Sequence, residues 1–178
     1  MKRLLVVVDY QNDFVDGALG FKGAELIAPA IARLINEFRA NKDEVVFTYD
    51  THDADYMNTV EGNNLPVPHC IKGTKGWELV PALAELQQKS GSKVYEKPTF
   101  GSVMLAHELH QRYTAGEIAS IELVGLCTDI CVISNALLLK AAMPELPITV
   151  DPACCAGVTP EKHAAALEVM KSCQIGVE

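Results

Sequence analysis

What most constrains this chain is an alternation. Short, nearly continuous apolar runs at Leu4–Val8, Val45–Tyr49, Lys93–Tyr95, Ile121–Val124 and Ile148–Val150 are separated by longer stretches whose apolar residues recur at helical spacing. These stretches are Glu25–Ala40, Val103–Tyr113, Asp129–Ala142 and Pro160–Ser172, the last opened by Pro160 after Thr159 as a helix start requires. Runs rich in β-branched residues and without polar alternation suit strands covered on both faces. Strand, helix and strand in succession require crossover connections and a mostly parallel sheet. The predicted fold is a Rossmann-like three-layer α/β/α sandwich with a five- or six-stranded sheet, Gln174–Val177 supplying the sixth, edge strand. At 178 residues, a single domain spanning 1–178 can enclose one core.

Ligands of such sheets bind beyond the carboxyl ends of the strands. Asp9 follows the first run, Asp50 and His52 the second, Glu96 and Lys97 the third, Gly125–Cys131 the fourth and Asp151 the fifth. The expectation is that every strand delivers polar or reactive residues to one edge. The one long irregular segment, from Thr51 to about Gly76, is rich in Asp, Asn, Gly and Pro and holds two histidines, with Trp77 just after it. It is read as functional rather than disordered.

Composition narrows the partner. With 49% hydrophobic and 21% charged residues the chain can bury a full core. A formal charge of −8 argues against nucleic acid or an anionic membrane as partner and leaves a small substrate. No signal peptide or membrane-length apolar run is expected, because Leu4–Val8 is too short and ends in Asp9. The six cysteines, at 70, 127, 131, 154, 155 and 173, contain no CxxC pair and read as reduced thiols in a cytoplasmic protein.

Cys131 lies in Gly125-Leu-Cys-Thr-Asp-Ile-Cys-Val132, a strand-to-helix turn. Unpaired backbone N–H groups and a helix dipole there would favour a thiolate, and a nearby lysine would lower its pKa further. On this fragment alone, small buried thiols at Cys127 and Cys131 remain the simpler reading. Asp9 adds to the case for chemistry, since a carboxylate ending a central strand is costly to bury unless paired. A turn or capping role would suit Asp13 as well. Lys97, taken alone, reads as a solvated strand end.

Three segments, Val6-Val-Val-Asp-Tyr-Gln-Asn-Asp-Phe14, Glu96-Lys-Pro-Thr-Phe-Gly-Ser102 and Gly125–Val132, together resemble the isochorismatase-like cysteine hydrolases, the nicotinamidases most of all. The resemblance spans nearly the whole chain in order and spacing. It implies a catalytic triad of Asp9, Lys97 and Cys131, an oxyanion site at the backbone N–H groups of Cys127 and Cys131, and a cis peptide at Leu126–Cys127. It also implies a small-molecule amide substrate, with nicotinamide first, no organic cofactor, and a homo-oligomer.

Asp50-x-His52 places two potential ligands on one side of an extended strand end, and His69 offers a third from the proline-flanked Pro66-Val-Pro-His69. A carboxylate with two imidazoles suits a divalent metal such as zinc, iron or manganese. The resemblance implies the same and points to Glu61 as a fourth ligand, because the histidine many relatives carry after the Asp-x-His pair is replaced here by Tyr56-Met-Asn-Thr. Metal-free hydrogen-bonded histidines are the alternative.

Phe14, Trp77 and Phe100 are candidates to wall an aromatic substrate's pocket, although core packing would explain them too. His107, His110 and His163 read as surface residues, and Cys154 and Cys155 as small buried ones. Other readings are a carbamoyl-amide hydrolase, an isochorismatase, which the intact Cys131 disfavours, and a non-catalytic thiol redox or binding module. No phosphate-cradling glycine motif follows the first strand.

Overall fold

A computed structural model describes residues 1–178. Six strands form one parallel sheet: β1 (Lys2–Val8), β2 (Glu44–Asp50), β3 (Val94–Lys97), β4 (Ile118–Leu126), β5 (Ile148–Ala156) and β6 (Gly176–Val177). Their order is β3-β2-β1-β4-β5-β6. The chain therefore winds one way from β1 to β3 and the other way from β4, and the crevice between β1 and β4 is where such sheets take their ligands. Leu4 to Val8 are all but fully buried, as the unbroken apolar run requires.

Seven helices flank the sheet: α1 (Asn12–Val15), α2 (Ala28–Ala40), α3 (Val60–Asn64), α4 (Pro81–Ser90), α5 (Val103–Thr114), α6 (Ile133–Ala142) and α7 (Pro160–Ser172). None is long and apolar enough to cross a membrane. Thr159 caps α7, its side chain accepting from the Lys162 N–H, with Pro160 in the first turn.

Several expectations need correction. The segment Glu25–Ala40 is not one helix: a 3-10 turn, Ala24–Ile27, precedes α2, whose first turn takes Pro29 because proline has no N–H to give. Likewise Asp129–Ala142 divides into a wide turn at Thr128–Val132 and α6. Helix α4 was not expected, although Pro81 at its start and the left-handed Gly91 at its end are standard boundary signals. The Thr51–Gly76 segment carries a 3-10 turn at Tyr56–Asn58 as well as α3. Asp151 does not end β5. It sits mid-strand beside a register shift against β4, its Oδ1 accepting from the Ala153 N–H at 2.8 Å, so β5 delivers no carboxylate to the edge.

Candidate active site

Strand β1 ends where Asp9 turns sharply away, with φ of +45°. Aspartate is among the few side-chain-bearing residues that tolerate this left-handed region, and such backbone persists where its surroundings hold it. Asp9 is completely buried; its Oδ1 accepts from the Thr48 hydroxyl at 2.7 Å. Oδ2 lies 2.6 Å from Lys97 Nζ, an ion contact not aligned as a hydrogen bond, and accepts no hydrogen bond from another group. Lys97, at the end of β3, is only 1% exposed, contrary to the ordinary fate of lysine. Its Nζ is also 3.5 Å from Cys131 Sγ and 3.5 Å from Asp50 Oδ1. The structure thus brings Asp9, Lys97 and Cys131 together, buried at the crevice between β1 and β4.

One electrostatic expectation is reversed. Burial, seconded by the adjacent Asp9 carboxylate, pushes the Cys131 thiol well above its ordinary range despite Lys97. Cys131 lies inside the wide turn ahead of α6, and desolvation there outweighs the pull of Lys97. Burial, with Asp50 nearby, also raises Asp9 against the pull of Lys97. Burial opposes the charge on Lys97, yet Asp9, Cys131 and Asp50 outweigh it and hold the ammonium firmly protonated. The resting arrangement is a thiol beside a carboxylate of raised proton affinity, with a fixed cation between them.

The turn bearing Cys131 is tied on three sides. Cys127 accepts from the N–H groups of Ile130 and Val132, and the Leu126–Cys127 peptide is cis. Buried Asn135 donates to the Cys131 carbonyl at 2.8 Å and to the Phe100 carbonyl at 3.2 Å, and accepts from the Ser102 N–H at 2.9 Å. It joins the Cys131 turn to the Lys97–Ser102 segment. Thr128 pairs with His163 Nδ1 at 2.8 Å, so His163 is not the plain surface residue expected. Neither link is signalled by residue type or spacing.

The second cluster is built on Asp50 at the end of β2. Asp50 Oδ2 is 3.1 Å from His52 Nε2 and 3.3 Å from His69 Nε2. These three residues are the one group of metal-ligating side chains that converges in the chain. Glu61, on α3, brings Oε1 to 3.7 Å from both imidazoles. The residues fit a divalent metal. His69 Nδ1 must donate to the Val67 carbonyl at 2.8 Å, which in the neutral ring leaves Nε2 as a lone-pair donor. Burial works against ionisation of Asp50, yet hydrogen bonds from the two imidazoles, whose Nε2 protons a metal would replace, prevail together with Lys97 and keep its carboxyl well below the usual range, ionised as a ligand must be.

A cavity of about 590 Å³ opens beside this cluster, lined by His52, Tyr56, Glu61, Leu65, Thr99 and Phe100 among others. Of the three aromatic candidates only Phe100 lines it, 48% exposed. Phe14 is buried edge-on against His69, with ring centroids 5.7 Å apart. Trp77 lines a different cavity with Tyr49, and its Nε1 donates at 2.9 Å to Oγ1 of Thr51, a residue on the wall of the first. His107 and His110 stay exposed on α5, and Cys154 and Cys155 are buried as expected.

The isochorismatase domain model matches residues 3–178. The chain is 37% identical over 174 residues to the isochorismatase family protein PncA of Bacillus subtilis, covering 94% of this chain and 93% of that protein. It is 30% identical over 186 residues to the nicotinamidase/pyrazinamidase of Mycobacterium tuberculosis, covering 97% and 96%. The crystal structure of nicotinamidase/pyrazinamidase PncA from Bacillus subtilis superposes with a TM-score of 0.86 at 35% identity, covering 99% of each chain. The pyrazinamidase of Pyrococcus horikoshii in complex with zinc superposes with a TM-score of 0.82 at 25% identity, covering 100% of this chain and 99% of that one.

Proposed function

The chain belongs to the isochorismatase family, and we propose that it hydrolyses nicotinamide to nicotinate and ammonia through a thioester on Cys131. The observation that carries this reading is the buried contact set of Lys97 with Asp9 Oδ2 and Cys131 Sγ. Asp9 Oδ2 takes the thiol proton as Cys131 sulfur attacks the carboxamide carbon, and Lys97 balances the charge that forms. Backbone N–H groups of Cys127 and Cys131 receive the oxyanion. The C–N bond then breaks as Asp9 returns its proton to the departing nitrogen, releasing ammonia. Water, giving a proton to Asp9, attacks the thioester carbon; the C–S bond breaks, and the Cys131 thiolate recovers the proton.

Asp50, His52, His69 and Glu61 would hold a divalent metal, with zinc first and iron or manganese also suited to this donor set. When bound, the ion would supply a Lewis acid that orients a heteroaromatic ring nitrogen. Phe100 would lie against the ring from the cavity wall. Purified, metal-loaded protein should release ammonia from nicotinamide, and Cys131→Ala should reduce that release to background. A folded, loaded protein inert toward nicotinamide would refute the substrate.

A further inference from the structure

Strand β1 stops pairing with β2 at Val8 opposite Thr48, because the chain turns away at Asp9. Asp50, two residues further along β2, keeps its neighbour Lys97 on β3 but has lost a strand on its other side. Its peptide groups there are met by a side chain instead. Gln11, fully buried, accepts from the Asp50 N–H through Oε1 at 2.8 Å and donates through Nε2 to the Asp50 carbonyl at 2.8 Å. The same Nε2 donates to the Trp77 carbonyl at 2.7 Å. A carboxamide is the side-chain group that offers an acceptor and a donor pair side by side, as a neighbouring strand would.

Asp13 does the corresponding work on the other flank. Its Oδ2 accepts from the Cys70 N–H at 2.7 Å, at a residue with φ of +46° directly after His69. The Cys70 carbonyl accepts in turn from the His52 N–H at 3.0 Å. Asp13 thereby fixes the backbone that carries both imidazoles. Gly76 packs so closely on this carboxylate that an added Cβ would lie 2.1 Å from Asp13 Oδ2.

We propose that Gln11 and Asp13 are positioning residues for the metal centre, Gln11 holding Asp50 and Asp13 holding the turns of His69 and His52. The inference rests on the reading of Asp50, His52 and His69 as metal ligands. Alternate residues of the first motif then serve two centres: Asp9 the thiol, Gln11 and Asp13 the ion. Groups that orient ligands in this way govern affinity by factors of about 10 to 100.

The test is Zn²⁺ affinity, measured by competition with a chromophoric chelator, for the wild type, Gln11→Met, Asp13→Ala and Asp13→Asn. Gln11→Met keeps the volume and removes the hydrogen bonds; Asp13→Asn keeps an acceptor oxygen for the Cys70 N–H. The expected result is a dissociation constant raised about 10- to 100-fold in Gln11→Met and Asp13→Ala, with most of the affinity restored in Asp13→Asn. Iodoacetamide modification of Cys131 in the metal-free proteins should keep its wild-type rate, which general loosening of the fold would not allow. Wild-type Zn²⁺ affinity in folded Gln11→Met and Asp13→Ala, or affinity loss matched by altered Cys131 modification, overturns the proposal. A wild type that binds no Zn²⁺ overturns the ligand reading and this inference together, whereas the former outcomes leave the ligand reading standing. Should Gln11→Met not fold, the contrast between Asp13→Ala and Asp13→Asn decides the matter.

Discussion

Lys97 Nζ lies 3.5 Å from Asp50 Oδ1, while the other oxygen of Asp50 faces the imidazoles of His52 and His69. One carboxylate is thus shared between the ammonium beside the thiol and the cluster suited to a metal. Lys97 is the buried cation that stands among Asp9, Asp50 and Cys131, nearest to Asp9 at 2.6 Å.

Replacing that cation should therefore do more than slow the reaction. Lys97→Met leaves two buried carboxylates, Asp9 and Asp50, without their counter-ion. Removal of one member of a buried pair costs about 3–5 kcal/mol. Ammonia release should fall by about a thousandfold or more, a loss of at least ~4 kcal/mol in transition-state stabilisation, and thermal unfolding should shift down markedly. A variant with the wild-type melting temperature would show that Lys97 does not compensate these charges.

The thiol should depend on Asn135, a residue that never approaches it with its own polar atoms except through backbone. Asn135→Ala removes hydrogen bonds to the Cys131 and Phe100 carbonyls and leaves the Ser102 N–H without its acceptor. Each buried loss of this kind costs about 1–3 kcal/mol. The expected result is a lower melting temperature together with a fall in kcat larger than the rise in KM, because the Cys131 turn is displaced more than the cavity. Steady-state ammonia release checks the split; a pure KM effect would contradict it.

Much of this site was legible in the sequence, for definite reasons. The strands showed because a sheet covered on both faces demands unbroken apolar runs such as Leu4–Val8. Asp9, Lys97 and Cys131 showed because three ordered motifs carry them, and Asp50 and His52 because alternate residues at a strand end share a side. The wrong expectations concern what only packing decides. Asp151 looked terminal because a register shift in β5 is invisible in one strand's sequence. The bond from Trp77 to Thr51 gave no sign either, because it joins segments distant in sequence. Cys131 looked acidified because motif and lysine are local signals, whereas desolvation depends on the whole fold.

Glu61 and His69 should differ in their hold on the metal. His69 is 2% exposed and anchored through Nδ1, whereas Glu61 reaches in from the short helix α3 with its side chain 21% exposed. His69→Ala should abolish measurable Zn²⁺ binding, and Glu61→Gln should weaken it by about 10- to 100-fold, the range seen when groups around a site are altered. Chelator competition on both variants tests the order. Equal losses would make Glu61 a full ligand with no lesser standing.

The backbone that supports the crevice offers the most severe prediction. Gly125 has φ of +116° and lies opposite Val8 in the register of β4 with β1. A Cβ built there would stand 2.1 Å from the Val8 carbonyl oxygen and 2.8 Å from its nitrogen. Two rigid strands meet at that point, so no flexible side chain can give way, and alanine would also hold a backbone angle that side-chain-bearing residues avoid. Gly125→Ala should thus exceed the ~4–5 kcal/mol that marks exceptional single substitutions, against a total stability of about 5–15 kcal/mol. The variant should be recovered largely insoluble, or with a denaturant midpoint far below that of the wild type. A soluble variant of near wild-type midpoint would mean that β1 and β4 are not held this closely beside Asp9, and the placement of Asp9 against Cys131 would have to be drawn again.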